Sequence, residues 1–205
     1  MANKNIKAVC FDFGGVIELK TGDIIKDIAE LLGIPLADLK EEYFKHNHLS
    51  NVENMNWEDM LVRIVSIFDN TQKTKEKVLL MVREFLLTRK INADLVAFFP
   101  VLRKQGLKVA IFSNNTSKLR EELTENGIIK LVDEVVISAE IGFQKPHKEA
   151  FQALFEKLNV YPEEVVFIDD TSKSLEKADE IGYTPILFKN NEQLKADLQN
   201  IGIKL

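Results

Sequence analysis

Four short segments carry reactive residue types, three of them directly after apolar runs. In Val9-Cys10-Phe11-Asp12-Phe13-Gly14-Gly15, a carboxylate closes such a run. A charge there is costly unless something pairs with it. Gly14 and Gly15 permit a tight turn and let backbone N–H groups approach an anion closely. In Ile111-Phe112-Ser113-Asn114-Asn115-Thr116, a hydroxyl and amides precede a helical pattern. A helix N-terminus binds phosphate through its free N–H groups and its dipole. Gly142-Phe143-Gln144-Lys145-Pro146 sets a point positive charge in a loop, suited to a phosphate or a carboxylate. Val165-Val166-Phe167-Ile168-Asp169-Asp170 ends in two adjacent carboxylates that repel each other. A hard cation with oxygen ligands, such as Mg²⁺, relieves that repulsion. Singly, the first three segments also suit a capped loop, a helix cap and a surface lysine.

The segments need a scaffold that gathers them. Ala8–Phe13, Lys108–Ser113, Glu134–Ile137 and Val165–Ile168 read as buried strands, with Thr184–Phe188 a weaker fifth. Their apolar residues do not strictly alternate, which suits parallel strands covered on both faces. Helical patterns lie between them at Ala93–Gln105, Ser117–Asn126, His147–Leu158 and Ser172–Ile181, three of them followed by Gly. The expected fold class is therefore α/β, a doubly wound parallel sheet. Residues 21–90 break the alternation and read as helices only. Asp23 can cap one closed by Gly33, Pro35 can open a second and Asn56 can cap a third, with Lys73–Thr88 a fourth. The expectation is a core domain of residues 1–20 and 91–205 with a helical cap domain of residues 21–90. A cap inserted after the first strand lies over the carboxyl ends of the sheet, where open α/β sheets bind ligands.

The 205 residues suffice for such a core plus a modest insertion, and 45% are apolar. A net charge of −5 lacks the basic surplus that nucleic-acid binding needs. No stretch approaches the roughly 20 apolar residues of a membrane helix, and the polar N-terminus has no apolar stretch of signal-peptide length. A single cysteine, Cys10, excludes a disulfide within the chain. These features favour a cytoplasmic protein with no nucleic-acid or membrane partner; the oligomeric state is not readable. Cys10 reads as a small core residue. His46 and His48, two apart on a predicted helix, read as surface residues on different faces.

In order and spacing, the four segments resemble the motifs of the haloacid dehalogenase superfamily, over nearly the whole chain. The stretch Ser138–Pro146 is particularly similar to the capped subgroup with a helical insertion after the first motif. The resemblance implies that Asp12 is a nucleophile that forms an aspartyl-phosphate, later hydrolysed by water. It further implies Mg²⁺ held by Asp12, the Gly14 carbonyl, Asp169 and Asp170. Ser113, the Asn114 amide, Lys145 and Gly15 would hold the phosphate of a small phosphorylated metabolite.

The sequence departs from this pattern at Gly14, where family phosphatases usually carry a second Asp that protonates the leaving group. Such a loss typically costs about 10²- to 10⁴-fold in rate, and less for a leaving group that departs readily as an anion. Glu18 and Thr21 are nearby alternatives for that acid. Ser174 stands where an Asn often follows the acidic pair. Dehalogenases of the superfamily also lack the second Asp, but they work without metal and do not usually keep an Asp-Asp pair. Two alternatives accompany the Mg²⁺-dependent phosphatase: a metal-free dehalogenase and a non-catalytic phospholigand-binding protein.

Overall fold

A computed structural model describes residues 5–19 and 21–205; residues 1–4 and 20 of the expected core lie outside the described residues. Seven strands form: β1 (Ala8–Phe11), β2 (Glu18–Leu19), β3 (Lys90–Ile91), β4 (Lys108–Ser113), β5 (Glu134–Ile137), β6 (Val165–Asp169) and β7 (Thr184–Leu187). Five of them make a parallel sheet in the order β5-β4-β1-β6-β7. Its central strands bury alternate residues on opposite faces. Val9, Phe11, Val109, Ile111, Val166 and Ile168 join one apolar cluster. Ala8, Cys10, Ala110, Phe112, Val165 and Phe167 join the other. This two-sided burial is why the strands read as unbroken apolar runs rather than alternating ones.

Helices cover both faces. In chain order they are α1 (Ile24–Leu32), α2 (Leu36–His46), α3 (His48–Asn51), α4 (Trp57–Phe68), α5 (Gln72–Thr88), α6 (Ala93–Val96) and α7 (Phe98–Lys104). After β4 follow α8 (Lys118–Glu125), α9 (Ser138–Ile141), α10 (Lys148–Leu158), α11 (Ser172–Leu175), α12 (Ala178–Ile181) and α13 (Asn191–Asn200). Phe112, Phe151, Phe167 and Tyr183 form a ring cluster between β4, β6 and α10, with centroid separations from 4.6 to 5.9 Å. Phe167 touches all three other rings and is fully buried. Phe167→Ala should therefore destabilise the fold by about 3–5 kcal/mol, read as a lower denaturant midpoint at unchanged slope.

The insertion between β2 and β3 folds as α1 to α5 around its own apolar cluster, which includes Ile28, Leu39, Met60, Ile64, Val78 and Val82. Asp23 caps α1, its side chain accepting from the Lys26 N–H at 3.1 Å, and Gly33 ends that helix at φ 66°. Pro35 precedes α2. Asn56 holds the N-cap position of α4 but makes no side-chain cap bond, and α5 is capped by Thr71.

Several boundaries differ from the sequence expectation. β1 stops at Phe11, because the chain turns at Asp12 and Phe13. The pattern over Ala93–Gln105 is two helices, α6 and α7, that meet at Ala97. Pro100 has no N–H to continue the first helix but sits without cost in the first turn of the second. Ser172–Ile181 likewise divides into α11 and α12. The paired strands β2 and β3, two residues each, join the insertion's entry and exit in an antiparallel ladder. Cys10 is buried in β1, where burial pushes its thiol above the ordinary range. No helix among the described residues is long and apolar enough to cross a membrane.

Candidate active site

Register brings the reactive residues together. Phe11 pairs with Ile111 on one side and Ile168 on the other, so one further step along β1 sets Asp12 beside Asp169. The Asp12 N–H donates to the Ile168 carbonyl at 2.8 Å. Lys145 arrives from the loop between α9 and α10 and is buried to 4% exposure. Its ammonium donates to Asp12 Oδ1 at 2.9 Å, Asp169 Oδ2 at 2.7 Å and the Phe112 carbonyl at 3.0 Å. Asn114 holds the backbone of that loop from both sides. Its Oδ1 accepts from the Lys145 N–H at 2.8 Å and its Nδ2 donates to the Lys145 carbonyl at 3.1 Å. Ser174 lines the same crevice, its backbone N–H donating to the Thr171 carbonyl.

Electrostatics follow from this packing. Burial alone would push the Lys145 ammonium down, but Asp12 and Asp169 together carry it above the ordinary lysine value. Burial lifts Asp12 to about 6, with Lys145 opposing the rise and Asp169 adding to it. One carboxylate oxygen each from Asp12, Asp169 and Asp170 lies within 4.8 Å of the others. Three carboxylates against one ammonium leave two negative charges in a small volume, and all the donors are hard oxygens. A divalent cation such as Mg²⁺ fits both the charge and the donor set.

Two elements of the expected phosphate cradle are used internally. The Gly15 N–H donates to the Glu18 carbonyl at 2.7 Å, so its part is the turn, taken at φ 80°, and its amide is not a free anion donor. The start of α8 is also satisfied. The Asn115 N–H donates to Ser138 Oγ at 3.0 Å, Thr116 to Asn115 Oδ1 at 2.8 Å and Ser117 to Asn54 Oδ1 at 2.8 Å. Of the residues expected to hold a phosphate, Ser113, Asn114 and Lys145 remain. All three line one crevice of about 630 Å³ together with Asp12, Gly14 and Asp170.

Sequence reasoning missed an ionic cluster at the crevice wall. Arg89, just past α5, lies 2.9 Å from Glu18 Oε2 and 3.0 Å from Glu122 Oε1. The Glu18 contact is an ion pair lying off the line of a hydrogen bond. Burial pushes Glu18 up to about 7, with Arg89 opposing and Glu122 and Asp12 adding to the rise. The only local signal was position, since Glu18 and Arg89 flank the helical insertion at its two ends.

A parallel sheet with an acid, a buried lysine and an acidic pair at its carboxyl edge defines a hydrolase of the haloacid dehalogenase type. The haloacid dehalogenase-like hydrolase family matches residues 6–176, and the chain belongs to it. The chain is 28% identical to Phosphatase MT3486 of Mycobacterium tuberculosis over 97% of its own length and 96% of that protein. It is 26% identical to a glyceraldehyde 3-phosphate phosphatase of Methanothermobacter thermautotrophicus, covering 82% of this chain and 76% of that one. Some relatives are far longer: the match to bifunctional epoxide hydrolase 2 of Mus musculus spans 21% of that protein. Among solved structures, a haloacid dehalogenase family enzyme of Bacteroides thetaiotaomicron, a magnesium complex, superposes with a TM-score of 0.71. That match covers 96% of this chain and all of the other, at 18% identity.

Proposed function

We propose that the protein is a Mg²⁺-dependent phosphatase of small phosphorylated metabolites that works through an aspartyl-phosphate on Asp12. The observation that carries this reading is the convergence of Asp12, Lys145 and the Asp169-Asp170 pair at the mouth of one crevice. The phosphatase relatives support it.

In the first step, an Asp12 carboxylate oxygen attacks phosphorus, and the bond to the leaving-group oxygen breaks with its electron pair. In the second, water displaces the carboxylate, returning Asp12 and releasing inorganic phosphate. Lys145 holds Asp12 by Oδ1, which orients the other oxygen, and its positive charge offsets that gathering on the phosphoryl oxygens. Ser113 and the Asn114 amide bind those oxygens. Asp12, Asp169, Asp170 and the Gly14 carbonyl would hold Mg²⁺, which when bound draws charge off the phosphoryl group and screens it from the nucleophile. The helices over 24–88 act as a cap: Asn51 Nδ2 reaches Gln144 Oε1 at 3.0 Å and Asn54 reaches Ser117, both beside the phosphate corner.

The test is phosphate release from a panel of phosphomonoesters, with and without Mg²⁺, against Asp12→Asn as the blank. Chelation should lower the rate by at least about 10²-fold, the low end for losing a group that stabilises transition-state charge. Full activity in excess chelator would sink the metal assignment. Stabilisation by phosphate and Mg²⁺ with no turnover on any ester would favour the binding-protein reading instead.

A further inference from the structure

The space beyond the phosphate corner has a character of its own. Tyr43, Phe44, Trp57 and Phe85, from α2, α4 and α5, line the crevice opposite the strand ends. They are fixed in place rather than loose. Tyr43, Trp57 and Phe85 pack against the apolar cluster of the helical insertion. Trp57 and Phe85 rings lie 6.2 Å apart, and Tyr43 meets Phe44 edge-on at 5.7 Å. Lys173, from α11, rests 5.1 Å over the Phe44 ring and steadies it at the rim, although Phe44 is 54% exposed. An apolar surface kept facing an open crevice favours a planar apolar ligand that covers it.

Charge narrows the choice. Among the described residues lining the crevice are six carboxylates and three cations. Two of those cations are already committed, Lys145 to Asp12 and Asp169, and Arg89 to Glu18 and Glu122. Among the described lining residues, that leaves Lys118 as the cation available to a second anionic group on the substrate. The third observation is Gly14. A Cβ built there meets nothing within 4 Å, so the position that usually holds the proton donor is open space. Open space at that position favours a leaving group that departs readily as an anion.

Resting on the phosphatase reading above, we infer that the substrate is an aryl phosphate, a phosphate monoester of a planar apolar ring that carries no further negative charge. The aromatic wall takes the ring, and the P–O bond breaks to give a phenolate. That phenolate takes its proton from solvent after release.

The test compares kcat/KM in Mg²⁺ for phenyl, cyclohexyl, 4-carboxyphenyl and acetyl phosphate, for wild type and Phe44→Ala. Phe44 is exposed enough for that variant to fold. Phenyl phosphate should exceed cyclohexyl phosphate by about 10²-fold or more, and should exceed its carboxylated analogue. Phe44→Ala should lower the ratio of phenyl to acetyl phosphate about three- to tenfold. A cyclohexyl ester turned over as well as the phenyl ester overturns the inference, and so does an unchanged phenyl-to-acetyl ratio in Phe44→Ala. Either result leaves the phosphatase reading standing. Inactivity on all four compounds overturns the inference, and inactivity on the wider phosphomonoester panel overturns both.

Discussion

Asp12→Asn should lower phosphate release by more than about 10⁴-fold, because no other group on the sheet edge is placed to attack phosphorus in its stead. The fold should survive. Lys145 keeps Asp169 at 2.7 Å and the Phe112 carbonyl at 3.0 Å after the change. Stability supplies an independent readout. In metal-free protein, Asp12 is lifted from 3.8 to about 6 by burial, so the folded chain binds the extra proton between those values. The stability linked to that proton is fully present below 3.8 and is lost as pH rises through about 6. Wild type should show this decline in a melting series across that window, and Asp12→Asn should not. Comparable phosphate release by variant and wild type would remove Asp12 from the mechanism.

Lys145→Met should cost about 3–5 kcal/mol of stability, because two buried carboxylates lose the cation between them. Activity should fall by about 10²- to 10³-fold with it, as for loss of one preorganised donor to a transition-state anion. The two costs share a cause, so they should not add to that of Asp12→Asn. The double variant Asp12→Asn, Lys145→Met removes one of the stranded charges and should be more stable than Lys145→Met alone. Denaturant midpoints of the four proteins measure this directly. A Lys145→Met protein as stable as wild type would mean that one carboxylate is already protonated.

The sheet and most of the candidate residues were legible because Asp12, Ser113 and the Asp169-Asp170 pair each follow an apolar run that the chain buries whole. Asp12, Ser113 and the Asp169-Asp170 pair needed only the end of a strand to be recognised. Lys145 needed the family resemblance, since a lysine in a loop has no local mark of burial. The fate of individual N–H groups was not legible. Whether Gly15 donates to an anion or to Glu18 depends on a turn closed three residues later. Ser117 gives its N–H to Asn54, which takes a left-handed φ of 61° that asparagine tolerates better than most residues. Arg89 and Glu122 meet across 33 residues, and no local pattern joins them. The break at Ala97 did have a signal, Pro100, outweighed by the apolar spacing around it.

The ladder between β2 and β3 bears on how the chain is assembled. Glu18 pairs with Ile91 and Leu19 with Lys90, so the chain enters and leaves the helical insertion side by side. The entropy of closing a loop grows only with the logarithm of its length, about 0.6 kcal/mol for each doubling. To the sheet, the whole helical insertion is therefore equivalent to a hairpin turn. A longer or shorter helical unit closed by the same two-strand seam would cost the fold little in closure entropy.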